Sequence, residues 1–149
     1  MSQIASKLSL GALLTAILLF LSPAQAAQPH HVVIHVDEND PARMNLALNN
    51  AVNVDAYYRE RAEEVQIEIV AYGPGLHMLR ADTSPVKERV QSVSENFDNI
   101  SFMACGNTKK KMSKKAKKEI QLLPQAKMVQ AGVVHLMERQ EQGWSYIRP

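Results

Sequence analysis

Short β-branched runs alternate with longer stretches of helical spacing along most of this chain. Residues 31–36 (HVVIHV) predict a first strand. Asp40 then offers an N-cap and Pro41 a first helical position, and Met44, Ala47, Ala51, Val54 and Tyr58 recur at helical spacing. Residues 65–71 (VQIEIVA) alternate Val65, Ile67 and Ile69 with Gln66 and Glu68, which predicts a strand dry on one face and partly wet on the other, as at a sheet edge. The run YGPGLHML is rich in turn residues and predicts a loop. Ser84 and Pro85 repeat the cap-plus-proline signal before Val86, Val90, Val93 and Phe97.

A third, short buried strand is predicted at residues 100–104 (ISFMA). A thin helical seam follows at Met112, Ala116 and Ile120. Residues 126–130 predict a fourth strand, and residues 132–142 a fourth helix with Val133, Leu136 and Met137 turned inward. WSYIRP closes the chain with a fifth strand. Methionines 44, 103, 112, 128 and 137 all fall on faces expected to be core. Strands separated by helix-length segments predict right-handed βαβ units, hence an α/β fold with a mainly parallel sheet of about five strands and helices on both faces. The expected arrangement is flavodoxin-like, order 2-1-3-4-5, with the second strand at the edge.

The first 26 residues change the picture. They carry one charge, Lys7, then an apolar stretch from Leu8 to Leu21, Pro23, and the small residues Ala24 and Ala26 flanking Gln25. That is the pattern of a cleavable secretory signal, and the apolar stretch of about 14 residues is shorter than the roughly 20 needed to span a bilayer. The reading divides the chain into a signal peptide, 1–26, and one domain, 27–149. It places the mature protein in the periplasm with no stable membrane anchor.

Charge is local. Without Lys7 the 17 Lys and Arg fall to 16, against 15 Asp and Glu, so nucleic acid is not an expected partner. Seven lysines nevertheless crowd residues 109–118, directly after the single cysteine, Cys105. One cysteine forms no internal disulfide, and an odd thiol in an oxidising compartment is a reactive group, an intermolecular bridge or a buried passenger.

The expected topology gives that thiol a place. Ligands of open α/β sheets sit beyond the carboxyl ends of the strands, where the order reverses. For the order 2-1-3-4-5 this lies between strands 1 and 3, whose first following residues are Asp37 and Cys105. The loop with Gly73, Gly75 and His77 opens at the same edge. A free thiol has a pKa of about 8.5, and a helix N-terminus lowers it to roughly 3.5–7.5. Gly106 permits close backbone approach, and Asn107 or Thr108 supplies a cap. Lys109 to Lys111 act in the same direction, whereas Asp37, Glu38 and Asp40 act against it. The alternative is a small buried hydrophobe that ends a core strand.

Other candidates carry less. Gly73 and Gly75 suit an anion cradle or any tight turn, and His77 a pocket or the surface. The lysine run is an anion-steering surface, a docking face for an acidic partner, or a solvated helix face. His30, His31 and His35 cluster, with His31 and His35 on one strand face, but Pro29 lacks the N–H that an N-terminal copper site deprotonates, so no metal is assigned. No phosphate-binding glycine motif, Ser–His–Asp set or carboxylate pair stands out, and no cofactor is expected.

From HVVIHV through FMACGNTKKKM to VQAGVVHLMERQEQGWSYIRP, the chain resembles the DsrE/DsrF-like sulfur relay family. The sharpest pieces are the strand-to-ACGNT junction, the turn at Ala131 and Gly132, and the C-terminal GWSYIRP. The resemblance implies a flavodoxin-like parallel sheet, assembly as trimers or hexamers, and a loop cysteine that accepts a persulfide and passes the sulfur on. That role falls on Cys105, with Gly106, Asn107, Thr108 and Lys109 receiving the anion and a sulfur donor or acceptor protein as partner. It makes the protein at most a sulfur carrier or sulfurtransferase. The competing readings are a non-catalytic assembly module in which Cys105 only packs, and a small anion- or metal-binding protein.

Overall fold

The computed structural model describes residues 29–149. The signal-peptide segment lies outside the described residues. Among the described residues, no helix is long and apolar enough to cross a membrane.

Strand β1 (His30–Val36) leads to α1 (Pro41–Arg59), where Asp40 accepts a hydrogen bond from the Ala42 N–H at 2.8 Å and Pro41 opens the first turn. Strand β2 (Val65–Ala71) runs into a 3-10 helix, Gly73–Leu79, in place of the expected loop, and then α2 (Lys87–Asn96). Strand β3 (Ile100–Cys105) passes directly into α3 (Gly106–Ala116), which ends where Lys117 turns left-handed. Ile120, expected on that helix, lies beyond it and is buried. Strand β4 (Ala126–Val129), α4 (Gly132–Glu141) and β5 (Ser145–Ile147) complete the chain.

All four strand pairings are parallel, and the fold is the expected α/β class with a five-stranded sheet. The strand order differs from the expectation. It is β4-β3-β2-β1-β5, not 2-1-3-4-5, so β2 is central and β5 and β4 form the edges. The reason is visible at Glu68, whose alternation with apolar neighbours suggested a solvated face. Glu68 is buried under α4, where Arg139 donates two hydrogen bonds of 2.8 Å and His135 pairs with it at 2.6 Å. A carboxylate buried this way needs such partners, and they come from a helix 67 to 71 residues distant in sequence.

The order also divides the molecule. The first three crossovers step in one direction, so right-handed connections put α1, α2 and α3 on one face. There the main core joins Ile34, Met44, Leu48, Ile67, Ile69, Leu76 and Phe102, among others. The last crossover returns past β1 to β5 and lays α4 alone on the other face. The second core there is small: Val33, Val70, Met103 and Leu136, with Tyr72, Val129 and Trp144 packed against it. α4 turns Leu136 inward, but Val133 and Met137, expected inside, are exposed. Met128, also expected as core, is 63% exposed on β4. An inward face built from Leu136, His135 and Arg139 answers Glu68, and it leaves the apolar positions of α4 outside.

Candidate functional site

Cys105 ends β3 and is at once the N-cap of α3. The thiol is free and buried, 4% exposed. It lies two residues beyond Met103 and so on the α4 face of the sheet. Two helices therefore present their amino ends to the sulfur. From α3, the Thr108 N–H donates to Sγ at 3.4 Å. From α4, the N–H of Gly132, the first residue of that helix, lies near enough to favour the thiolate.

Burial opposes the thiolate, but the Thr108 hydroxyl and the N–H groups of Gly132, Thr108 and Asn107 outweigh it, and the Cys105 pKa is lowered. The hydroxyl is oriented for this work, because its Oγ1 accepts the Gly73 N–H at 3.0 Å. The Asn107 N–H itself donates to the Gln130 carbonyl at 3.1 Å. Each helix end contributes unpaired donors and partial positive charge. Two such ends near one sulfur favour its anionic form.

A row of side chains runs from this thiol across the carboxyl edge of the sheet. Ala71 pairs with Ala104, so the next step of the register sets Tyr72 beside Cys105. Tyr72 stacks on His35 with ring centroids 4.6 Å apart, and His35 Nδ1 meets the Tyr146 hydroxyl at 2.7 Å. Burial lowers the His35 pKa, against the pull of Asp37 and with a smaller push from Arg148. Arg148 grips both oxygens of Asp37, at 3.1 and 3.0 Å. Burial resists the charge on Asp37, yet that clamp holds its pKa below the usual carboxylate value. Burial and then the Asp37 charge raise the pKa of Tyr72.

The structure brings together part of the expected set. Cys105, Asn107 and Thr108 meet at the sulfur, and Gly73 supports Thr108 from behind. Gly106 does not supply a donor; its Cα faces the Val129 carbonyl, which an added Cβ would meet at 3.1 Å. Gly75 lies against the Val36 carbonyl, too close for any side chain, and so seats the 3-10 helix on β1. Lys109 turns to Glu119 at 2.9 Å. His77 bonds Thr83 Oγ1 at 2.7 Å and borders a cleft with Arg80, Met112 and Lys115, apart from the thiol's neighbours. His30 stacks on Tyr58 and pairs with Glu63, and His31 packs on Trp144. Among the described residues, no group of three His, Cys, Asp or Glu side chains converges on a metal position.

Sequence reasoning missed Gly132 and Tyr72 as neighbours of the thiol, and it saw His35 only as a possible ligand. The expected order set strands 1 and 3 side by side at the reversal point; in the observed order β2 lies between them and the reversal falls between β1 and β5, so Tyr72 and not Asp37 stands beside Cys105. A cleft of about 600 Å³ opens beside the two helix ends, lined by Asn107, Val129, Gln130, Ala131, Val134, His135 and Glu138. A second, of about 360 Å³, lies at the opposite end of the sheet around His30, His31 and Tyr58, far from the chemistry of the sulfur.

No family model and no curated protein matches the chain. Among solved structures it is similar to the protein of unknown function MTH1491 from Methanobacterium thermoautotrophicum. The identity is 36%, the TM-score is 0.68, and the match covers 80% of this chain and 99% of the other. At that identity and coverage, this chain belongs to the same family as MTH1491.

Proposed function

We propose that this member of the MTH1491 family is a sulfur carrier in which Cys105 accepts a sulfane sulfur as a persulfide and passes it to a partner thiol. The observation that carries the reading is the convergence of two helix amino ends on one buried sulfur. Thiolate is the nucleophile in such chemistry, and donors at contact distance favour it. The resemblance of the ACGNT junction to the DsrE/DsrF-like family supports the same role.

In the forward step the Cys105 thiolate attacks the outer sulfur of a donor R–S–S–H. A bond forms between Sγ and that sulfur, the donor's S–S bond breaks, and R–S⁻ leaves with the electron pair. The proton of the new persulfide, a stronger acid than a thiol, then moves to R–S⁻. No oxidant or reductant is consumed. The terminal persulfide anion inherits the N–H donors of Gly132 and Thr108. The cleft beside Asn107 and Ala131 is the route by which the donor reaches the sulfur. At 4% exposure, the first turns of α3 and α4 must part for it.

Export by residues 1–26 and a periplasmic location belong to this proposal. So does assembly into a homo-oligomer, which the exposed Met128, Val133, Val134 and Met137 favour. The same apolar surface and the burial of the thiol favour the second reading, an assembly module in which Cys105 only packs.

Intact mass after exposure to polysulfide, together with the pH dependence of Cys105 alkylation, separates the two. A gain of about 32 Da removed by reductant, with alkylation already half-maximal below the ordinary thiol pKa of about 8.5, is expected for a carrier. A thiol that gains no mass and reacts only on unfolding rejects it.

A further inference from the structure

Ligands of open α/β sheets sit beyond the carboxyl ends of the strands, where the order reverses. Here that point falls between β1 and β5, because the chain steps from β1 to β4 in one direction and then returns past β1. Arg148 and Pro149, which follow β5, fill the crevice. The Arg148 guanidinium donates to both oxygens of Asp37, at 3.1 and 3.0 Å, and to Glu38 at 3.3 Å. Arg43 donates to the Pro149 carbonyl. What remains is a space of about 10 Å³ bounded by His35, Asp37, Glu38, Arg43 and Pro149, no larger than a single water.

One polar atom of this crevice is left over. His35 is 5% exposed, and its Nε2 has no hydrogen-bond partner among the described residues. Nδ1 is taken up by the Tyr146 hydroxyl at 2.7 Å, while the Asp37 carboxylate stands 3.8 Å from Nε2. A carboxylate on that side favours the tautomer with its hydrogen on Nε2, so the unpaired atom is a donor. A buried donor without an acceptor is uncommon and costs stability. Arg148 and Pro149 satisfy the two carboxylates and Arg43 but offer nothing to this donor. Their hold is also weak, since the Arg148 side chain is 48% exposed and an exposed ion pair contributes little. An occupant that brought an acceptor to Nε2 would complete the crevice, as the chain's own residues do not.

We propose that the crevice between β1 and β5 binds an arginine-like ligand, a guanidinium joined to a carboxylate, and that Arg148 and Pro149 occupy it until the ligand displaces them. Asp37 and Glu38 hold the ligand's cation. Arg43 and the His35 Nε2–H hold its carboxylate. The fork that Arg148 makes on Asp37 is the pairing a free guanidinium takes, two parallel bonds to one carboxylate. The Arg43 bond to the Pro149 carbonyl marks where the ligand's own oxygens go. Acceptors for a cation and donors for an anion thus share one crevice, which suits a zwitterion better than an ion of either sign. The site is separated from Cys105 by β2 and does not depend on sulfur chemistry.

The test is calorimetric titration of the full chain with L-arginine. Residues that occupy the crevice lower the apparent affinity by the fraction of molecules in which it stands open. Arg148→Ala is therefore expected to bind L-arginine about tenfold more tightly than the unaltered protein. In that background Asp37→Asn should weaken binding about tenfold, the effect of a lost hydrogen bond between charged groups. Agmatine, which keeps the guanidinium but lacks the carboxylate, should bind about as weakly. His35→Phe should weaken L-arginine binding and leave agmatine binding unchanged, and Cys105→Ser should alter neither. Arg148→Gln, which keeps the length of the side chain without its charge, should show the same gain as Arg148→Ala if the shorter residue loosens β5. An Arg148→Ala protein that keeps the unaltered unfolding midpoint yet binds no L-arginine overturns the site. Equal affinities in Arg148→Ala, Arg148→Gln and the unaltered protein overturn the displacement. Equal affinities for L-arginine and agmatine overturn the roles of Arg43 and His35.

Discussion

The two faces of the sheet are built on different principles. One is covered by three helices and a 3-10 segment and holds nearly all of the buried apolar side chains. The other is covered by α4 alone, with four buried apolar residues and a polar interior of Glu68, His135, Arg139, His35 and Cys105. Hydrophobic burial is non-directional and scales with area, so the first face can hold the fold without help from the second. The second face is then free to keep buried polar groups, a thiol among them, that a sole core could not accommodate.

The comparison breaks most readily in the first core. Phe102→Ala, at 1% exposure, is expected to cost about 4 kcal/mol by denaturant unfolding, and to alter Cys105 reactivity only through the unfolded fraction. Arg139→Ala leaves Glu68 buried without its bidentate partner and should cost about 3 kcal/mol, showing how much of the thin face depends on one ion pair. Glu68→Gln should cost less, because an amide still accepts from Arg139.

A smaller effect on stability and a larger one on chemistry are expected at Gly132. Gly132→Ala must push Tyr72 aside, and the alkylation midpoint of Cys105 should move upward toward the ordinary thiol value as the N–H contact loosens. Cys105→Ser should abolish alkylation and sulfur uptake while moving the unfolding midpoint little.

The smallest expected effect is electrostatic. The His35 pKa is lowered in the folded state, so the unfolded chain binds the proton more readily. Stability is therefore lost as pH falls through the unfolded value of 6.5 toward the lower folded one, and it is retained above. Denaturant midpoints at pH 7.5 and 5.5 should differ in the unaltered protein and differ less in His35→Gln.

The alternating strands and helices, the cap at Asp40 and Pro41, and the placement of Cys105 at a strand-to-helix seam were all legible in the sequence, because each depends on local spacing. The strand order was not. It depends on which face of β2 meets solvent, and Gln66 and Glu68 read as wet when Glu68 is neutralised by α4. The same pairing hid the inward face of α4, where His135 and Arg139 take places that periodicity gives to Val133 and Met137. With the order misread, Tyr72 and Gly132 had no reason to stand near the thiol. Lys109 failed for a different reason: a charge run announces a field, and Glu119, ten residues on, absorbs part of it.

Strand β5 adds only three residues to the sheet, and it joins β1 across almost the whole domain, with His35 and Tyr146 111 positions apart. Closing so long a loop for so few contacts makes this pairing late to form and early to open. Amides of Ser145–Ile147 should exchange with deuterium faster than those of β2 by orders of magnitude. Each such opening lifts Tyr146 from His35 and bares the imidazole to water while the main core stays shut, so the far end of the row breathes on a clock of its own.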